Sequence, residues 1–192
     1  MDLPIDVVGL RRAVADGRSF RYRLFYGHQA RGDGQLSDSV FSQWWPCRFE
    51  EGGQVYTSAE QFMMAGKARL FGDAERLADI AATHDPAACK ALGRQVRGFD
   101  ETRWRDARFD LVTRGSVAKF GEGPLRAHLF ATGDEILVEA SPRDRIWGIG
   151  LGRASDAARD PRTWRGQNLL GFALVRARAI LRGELPLPAA QA

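Results

Sequence analysis

The stretch from Tyr56 to Leu70, Tyr-Thr-Ser-Ala-Glu-Gln-Phe-Met-Met-Ala-Gly-Lys-Ala-Arg-Leu, constrains the rest of the chain more than any other. It opens with helix-start chemistry: Ser58 suits the N-cap, and Gln61, three residues on, can reach back to complete a capping box. Thr57 with Glu60 offers the same pairing one residue earlier. Phe62, Met63, Met64 and Leu70 then give the helix apolar residues to bury. Glu60 and Lys67 stand seven positions apart, so on a helix they fall within roughly 20° of one another and about 10 Å apart along the axis. That gap has room for a sugar ring between a carboxylate and an amine. Two solvated charges are the plainer reading of the same spacing.

The other elements are read around this helix. Residues 5 to 16 form a short amphipathic helix stopped by Gly17, and residues 19 to 26 alternate as a strand, with Phe20, Tyr22, Leu24 and Tyr26 on one face. A polar, glycine-bearing loop with His28 follows. Residues 40 to 49 crowd Phe41, Trp44, Trp45 and Phe49 around Pro46, either as core filler or as a stacking wall for a planar heterocycle. Gly52-Gly53 reads as the turn of a hairpin leading into Tyr56. Asp73 caps a helix through Ala82, Asp85 with Pro86 opens one through Val96, and Asp100 caps a long one ending near Phe120. Residues 124 to 131 give another short helix, and Ile136 to Ala140 a β-rich apolar run. Ser141 to Gly152 is a loop whose glycines, Gly148 among them, permit close backbone approach. Asn168 is the expected cap of a last helix, Leu169 to Leu181.

A chain of 192 residues with 44% hydrophobic and 27% charged residues suits one globular domain with one sizeable core. The pattern predicts an α+β fold, mainly α-helical, with a small β element. Residues 1–19 read as an N-terminal helical extension, 20–182 as the domain and 183–192 as a flexible tail. No apolar run reaches membrane-spanning length and the N-terminus Met-Asp-Leu-Pro-Ile-Asp is acidic, so a cytoplasmic protein without membrane contact is expected. Cys47 and Cys89 lack paired spacing, and His28, His84 and His128 lack ligand spacing, so neither metal nor cofactor is expected. The net charge of +4 rests almost wholly on arginine, which suits phosphate but is too small an excess to argue for nucleic acid alone.

Three ordered passages resemble the signatures of one family. They are Phe41-Ser-Gln-Trp-Trp-Pro-Cys-Arg-Phe with Tyr56 to Ala68, then Ser141-Pro-Arg-Asp-Arg-Ile-Trp-Gly-Ile-Gly, and Trp164-Arg-Gly-Gln-Asn-Leu-Leu-Gly-Phe-Ala-Leu-Val-Arg. The chain resembles the NADAR, or YbiA-like, family over about residues 20 to 182. It departs from the pattern at Gln43, where many members carry Asn, and at Ile149, where some carry Asp. The resemblance implies a mostly helical α+β fold and hydrolysis of N-glycosidic bonds between ribose C1 and an exocyclic base amine. It implies two substrate classes: ADP-ribosylated guanine, with possible DNA contact, and phosphoribosylamino-pyrimidine intermediates of riboflavin synthesis. It implicates Lys67 and Glu60 in the chemistry.

The residues make that chemistry plausible. A lysine kept neutral by an apolar wall can attack an opened sugar's C1, while Glu60 moves a proton to the departing amine and activates water. Asp144 is expected to hold ribose hydroxyls or orient Lys67, against the plainer reading of a turn-forming Asp. Phe41, Trp44, Trp45 and Trp147 are the candidate stacking rings, Gly148 a point of close approach, and Lys119 and Asn168 candidate contacts to phosphate or ligand. Two readings of other classes remain at this stage, an inactive module that only binds ADP-ribose and a DNA-binding protein without chemistry.

Overall fold

Side-chain caps set most of the helix starts in the computed structural model, which describes residues 4–189. Asp6 caps α1 (Val7–Ala15), Ser58 caps α2 (Ala59–Leu70), Asp73 caps α3 (Ala74–Ala81), Asp85 caps α4 (Pro86–Gly93) and Asp100 caps α5 (Glu101–Lys119). In each case the side chain accepts from an amide in the first turn, one of the donors that a helix start leaves unpaired. Two further helices, α6 (Gly123–Phe130) and α7 (Leu169–Leu181), begin without such a bond. Met1 to Leu3 and the last three positions of the expected tail lie outside the described residues.

Two small sheets complete the α+β architecture. β2 (Phe49–Glu51) and β3 (Gln54–Tyr56) form the expected hairpin, with Gly52 and Gly53 both at positive φ in its turn. β1 (Tyr22–Phe25) pairs in parallel with β4 (Ile136–Glu139), Tyr22 opposite Ile136 and Phe25 opposite Glu139. The expected strand 19–26 is thus shorter, and its alternation stops. Leu24 and Phe25 are both buried and Tyr26 is exposed, because the β1–β4 ribbon lies between two apolar clusters. Phe25 and Leu137 face the larger one; Leu24, Ile136 and Val138 face the other.

Helix α2 sits at the centre of the larger cluster, packed by α3, α4 and α5, while α5 also packs on α7 and α7 on β4. Such enclosure explains why ten of its twelve residues are buried although its two faces are chemically different. The helix expected to reach Val96 ends at Gly93. A side chain there would meet Met64 Sδ at 2.0 Å, so the end of α4 presses its backbone directly onto α2. Gln61 does reach back, but to Thr57, whose amide and hydroxyl both donate to its Oε1 (2.8 and 3.1 Å). Its other end donates to the Ile80 and Thr83 carbonyls and ties α2 to the end of α3. Among the described residues no helix is long and apolar enough to cross a membrane. In the stretch expected to fray, Pro188 is buried and its carbonyl accepts from Arg114.

Candidate active site

The first turn of α2 carries the site's carboxylate. The Glu60 amide donates to the Gln43 carbonyl at 2.9 Å, which joins the helix start to the tryptophan loop before any side chain is considered. The side chain turns inward and is 3% exposed, and its Oε1 has no hydrogen-bond partner. Burial pushes its pKa up to about 7, with the Asp144 charge adding to the rise; Lys90, a hydrogen bond from Trp44, and Arg94 pull the other way. A glutamate poised there can carry a proton in either direction near neutral pH.

Two turns on, Lys67 lines the same cavity, a hollow of about 130 Å³. Glu60, Met63, Met64 and Lys67 form its α2 wall; Lys90, Gly93 and Arg94 come from α4 and its end, Trp104 from α5, and Trp147 from the loop after β4. The Lys67 Nζ donates to the Gly93 carbonyl at 2.8 Å and lies 4.1 Å from the Phe99 ring centre and 5.7 Å from that of Trp104. Burial lowers its pKa, which the Glu101 charge partly opposes. Larger hollows exist, one of about 240 Å³ behind α2 between Phe62, Arg69, Leu111 and Arg114, and an open one of about 480 Å³ along Asp100 to Ala107. Neither brings in an unpartnered buried carboxylate, so the smaller cavity is the chemically equipped one.

The remaining candidates divide. Trp147 lines the cavity, and Trp44 reaches its edge, with its ring 5.7 Å from Lys90 Nζ and 5.4 Å from the His28 ring. Trp45 is partly buried against the main core. Phe41 does not reach the cavity; it is buried against Phe25, Phe120 and His128. Lys119 does not reach it either. Its amine is buried, donates to the Ser42 carbonyl at 2.8 Å, and is pushed down to about 8 by burial. It pins the tryptophan loop from beneath. Asn168 takes the left-handed conformation (φ 53°) and makes no side-chain cap. Its side-chain amide is turned onto β4, donating to the Leu137 carbonyl and accepting from the Glu139 amide, both at 2.9 Å, and the residue is fully buried. Asp144 Oδ1 accepts from the Ile146 and Trp147 amides at 2.8 Å each, the turn-forming role, and so aims Trp147. Gly148 is a close approach to β4 rather than to open space: a Cβ there would lie 2.8 Å from the Glu139 carbonyl oxygen.

Two groups escaped the sequence reading. Lys90 stands on a short helix and looks like any exposed lysine until α4 is packed against α2. Glu139 ends a strand opposite Phe25 and is half-buried, and its backbone is tied to the loop that follows, its carbonyl accepting from the Ile149 amide and its amide donating to Asn168 Oδ1. Its Oε2 is buried without a partner, and burial pushes its pKa up to about 8, aided by Asp144 and Glu60 and opposed by Lys90.

Comparison with known proteins bears on this arrangement. The NADAR domain family model matches residues 24–182. N-glycosidase R617 of Acanthamoeba polyphaga mimivirus is 43% identical over 165 residues, which cover 82% of this chain and 95% of that protein. The chloroplastic riboflavin biosynthesis protein PYRR of Zea mays is 32% identical over 116 residues, 58% of this chain and 17% of that protein. The solution structure of the Escherichia coli protein YbiA shares the fold, with a TM-score of 0.68, 22% identity and 95% of both chains covered.

Proposed function

This chain belongs to the NADAR domain family, and from that premise we propose that it is an N-glycosidase that hydrolyses the bond between ribose C1 and an exocyclic base amine, most specifically in ADP-ribosylated guanine. The observation that carries the reading is the shared cavity of Glu60 and Lys67. It sets a carboxyl with a midpoint near neutrality on the same wall as an amine whose charged form burial disfavours, between aromatic and thioether side chains. The name of the mimiviral relative, N-glycosidase, supports the reaction class.

In this reaction the C1–N bond breaks with its electron pair going to nitrogen, which gains a proton, and water supplies the hydroxyl that ends on C1. Glu60 delivers the proton to the departing amine and then takes one from the attacking water, so it is unchanged at the end. For Lys67, with its charge disfavoured by burial, to act covalently, the C1–ring-oxygen bond opens first, its electron pair and a proton going to the oxygen; the amine then adds to C1, the base amine leaves with the proton Glu60 supplies, and water hydrolyses the resulting imine, which frees Lys67 and lets the sugar close again. Lys90 and Arg94 give the mouth two cations suited to phosphate, and Trp44 and Trp147 offer ring faces to the base. The likeness to a riboflavin biosynthesis protein favours a second substrate, a phosphoribosylamino-pyrimidine, that breaks the same bond type.

The test is incubation with an oligonucleotide carrying ADP-ribosylated guanine and, separately, with a ribosylamino-pyrimidine phosphate, followed by mass spectrometry of the products. Release of ADP-ribose with the unmodified guanine restored in the oligonucleotide supports the first substrate, and release of ribose phosphate from the pyrimidine alone moves the assignment to the second. Binding of ADP-ribose without release from either would make the protein a binding module.

A further inference from the structure

Resting on the role proposed for Lys67, we infer that Phe99 is a positioning residue that acts through it. Its ring face and the Gly93 carbonyl form a cradle that fixes the Lys67 amine at the edge of the cavity and favours its charged form. Both contacts are direct. Nζ donates to the carbonyl at 2.8 Å and lies 4.1 Å from the centre of the Phe99 ring, with the Trp104 ring farther off at 5.7 Å. An ammonium within about 6 Å of a ring centre is drawn to the negative face of the π-system. Phe99 is 44% exposed and belongs to neither apolar cluster; its edge-on neighbour Phe71, at 5.3 Å, packs on the larger one. The ring therefore stands at the rim, over the amine, rather than in the core.

The connection from α4 to α5 is shaped to build this cradle. Gly93 ends α4 with its backbone pressed on Met64, which brings its carbonyl against the last turn of α2. Gly98 takes the left-handed conformation (φ 68°) that glycine adopts without strain, and the chain turns there so that Phe99 stands just before Asp100, the cap of α5. The charged groups around Lys67 are Glu60 on its own helix, Lys90 and Arg94 from α4 and its end, and Glu101 from the first turn of α5. Burial disfavours the charge on Lys67, whereas Glu101 and the ring face favour it. The balance between ring and burial decides how much of the amine is neutral and free to attack at a given pH.

Lys67, Lys90 and Lys119 are the chain's three lysines, so lysine labelled with ¹³C at Cε gives three signals to follow by NMR across pH in the full chain. The Lys67 signal is the one lost in Lys67→Met. Phe99→Leu keeps an apolar cover and removes the ring face, so the Lys67 midpoint should fall by about half a pH unit or more. The Lys90 and Lys119 midpoints should stay in place, and Phe99→Tyr, which keeps a ring, should hold the wild-type Lys67 value. In the wild type the Lys67 ε-protons should be shifted upfield by the ring current of Phe99. The pH profile for borohydride trapping of sugar on Lys67 should move down with the midpoint in Phe99→Leu. A Lys67 midpoint that stays or rises in Phe99→Leu overturns the proposal, as does a fall of equal size in Phe99→Tyr, or a trapping profile that does not follow the midpoint. Ordinary ε-proton shifts in the wild type also overturn it, and that measurement decides even if Phe99→Leu fails to fold. A wild type that neither cleaves a ribosyl-amine nor traps sugar sinks the reaction instead, and the titration and ring-current shifts then decide the cradle on their own.

Discussion

Lys67 in the last turn of α2 and Lys119 in the last turn of α5 each donate to a backbone carbonyl at 2.8 Å, that of Gly93 and that of Ser42. Both amines are pushed down by burial, and both lie near an aromatic ring, Phe99 for one and Phe120 for the other. They differ in what lies beyond the nitrogen. Lys67 opens on a cavity that also holds Glu60, whereas Lys119 is enclosed and sits under the tryptophan loop. A depressed amine therefore marks a strained charge, and only access to a ligand-sized space turns that strain into chemistry.

The comparison breaks most easily at the cavity end. Lys67→Ala should keep the fold and lose most turnover, and Glu60→Gln should slow cleavage by about 10²–10⁴-fold. Borohydride added during turnover should trap sugar on the peptide containing Lys67. Full activity in Lys67→Ala removes it from the mechanism, and lost activity without an adduct makes it an electrostatic group, with Glu60-activated water as the attacker.

At the enclosed end the effect should be on stability. In the folded chain Lys119 gives up its proton near pH 8, in the unfolded chain near 10.5. Below about 8 both states are protonated and the folded chain bears the whole cost of the buried charge; between about 8 and 10.5 the unfolded state binds more protons, so stability climbs with pH. Wild type should gain on the order of 3 kcal/mol across that window relative to Lys119→Met, measured by denaturant unfolding. The variant should also leave the Ser42 carbonyl without a donor, at about 1–3 kcal/mol. Identical pH slopes for the two proteins would remove the buried charge from the account.

The smallest expected effect lies between the two regions. Lys90→Met takes away the cation that most lowers the Glu60 pKa, so the acid limb of the rate profile should move to higher pH with little change in thermal stability. A limb that stays in place would mean that Lys90 does not face Glu60.

What the sequence made readable was local. Ser58, Asp73, Asp85 and Asp100 announce their helices because the cap and the amide it serves are three residues apart or fewer. The shared face of Glu60 and Lys67 follows from helix geometry, and the cavity holds both. Asn168 looked like another cap, yet its bonds run to Leu137 and Glu139, about thirty positions away, and no spacing rule reaches that far. Glu139 escapes local rules for the same reason, since its backbone is held by Ile149 and Asn168. Phe41 and Lys119 resemble ligand contacts by the company of Trp44 and by their chemistry, and in the fold both are buried.

The loop from Ser141 to Asn168 is cross-tied by main-chain bonds, Ile149 to Glu139, Gly150 to Asp144, Arg165 and Gly166 to Ile149, Gln167 to Arg145, and Asn168 to Gly148, with side-chain bonds of Asp144, Thr163 and Trp164 beside them. Its interior is backbone against backbone, since a Cβ at Gly166 would lie 2.2 Å from the Gly148 carbonyl oxygen. Several of its side chains, Arg143, Arg145, Ile146 and Arg165, point to solvent beside Trp147. The shape of this rim is thus written in amides and glycines, and its lettering in residues that carry none of the load. Selection, or a protein engineer, can rewrite positions 143, 145, 146 and 165 without renegotiating the fold that presents them.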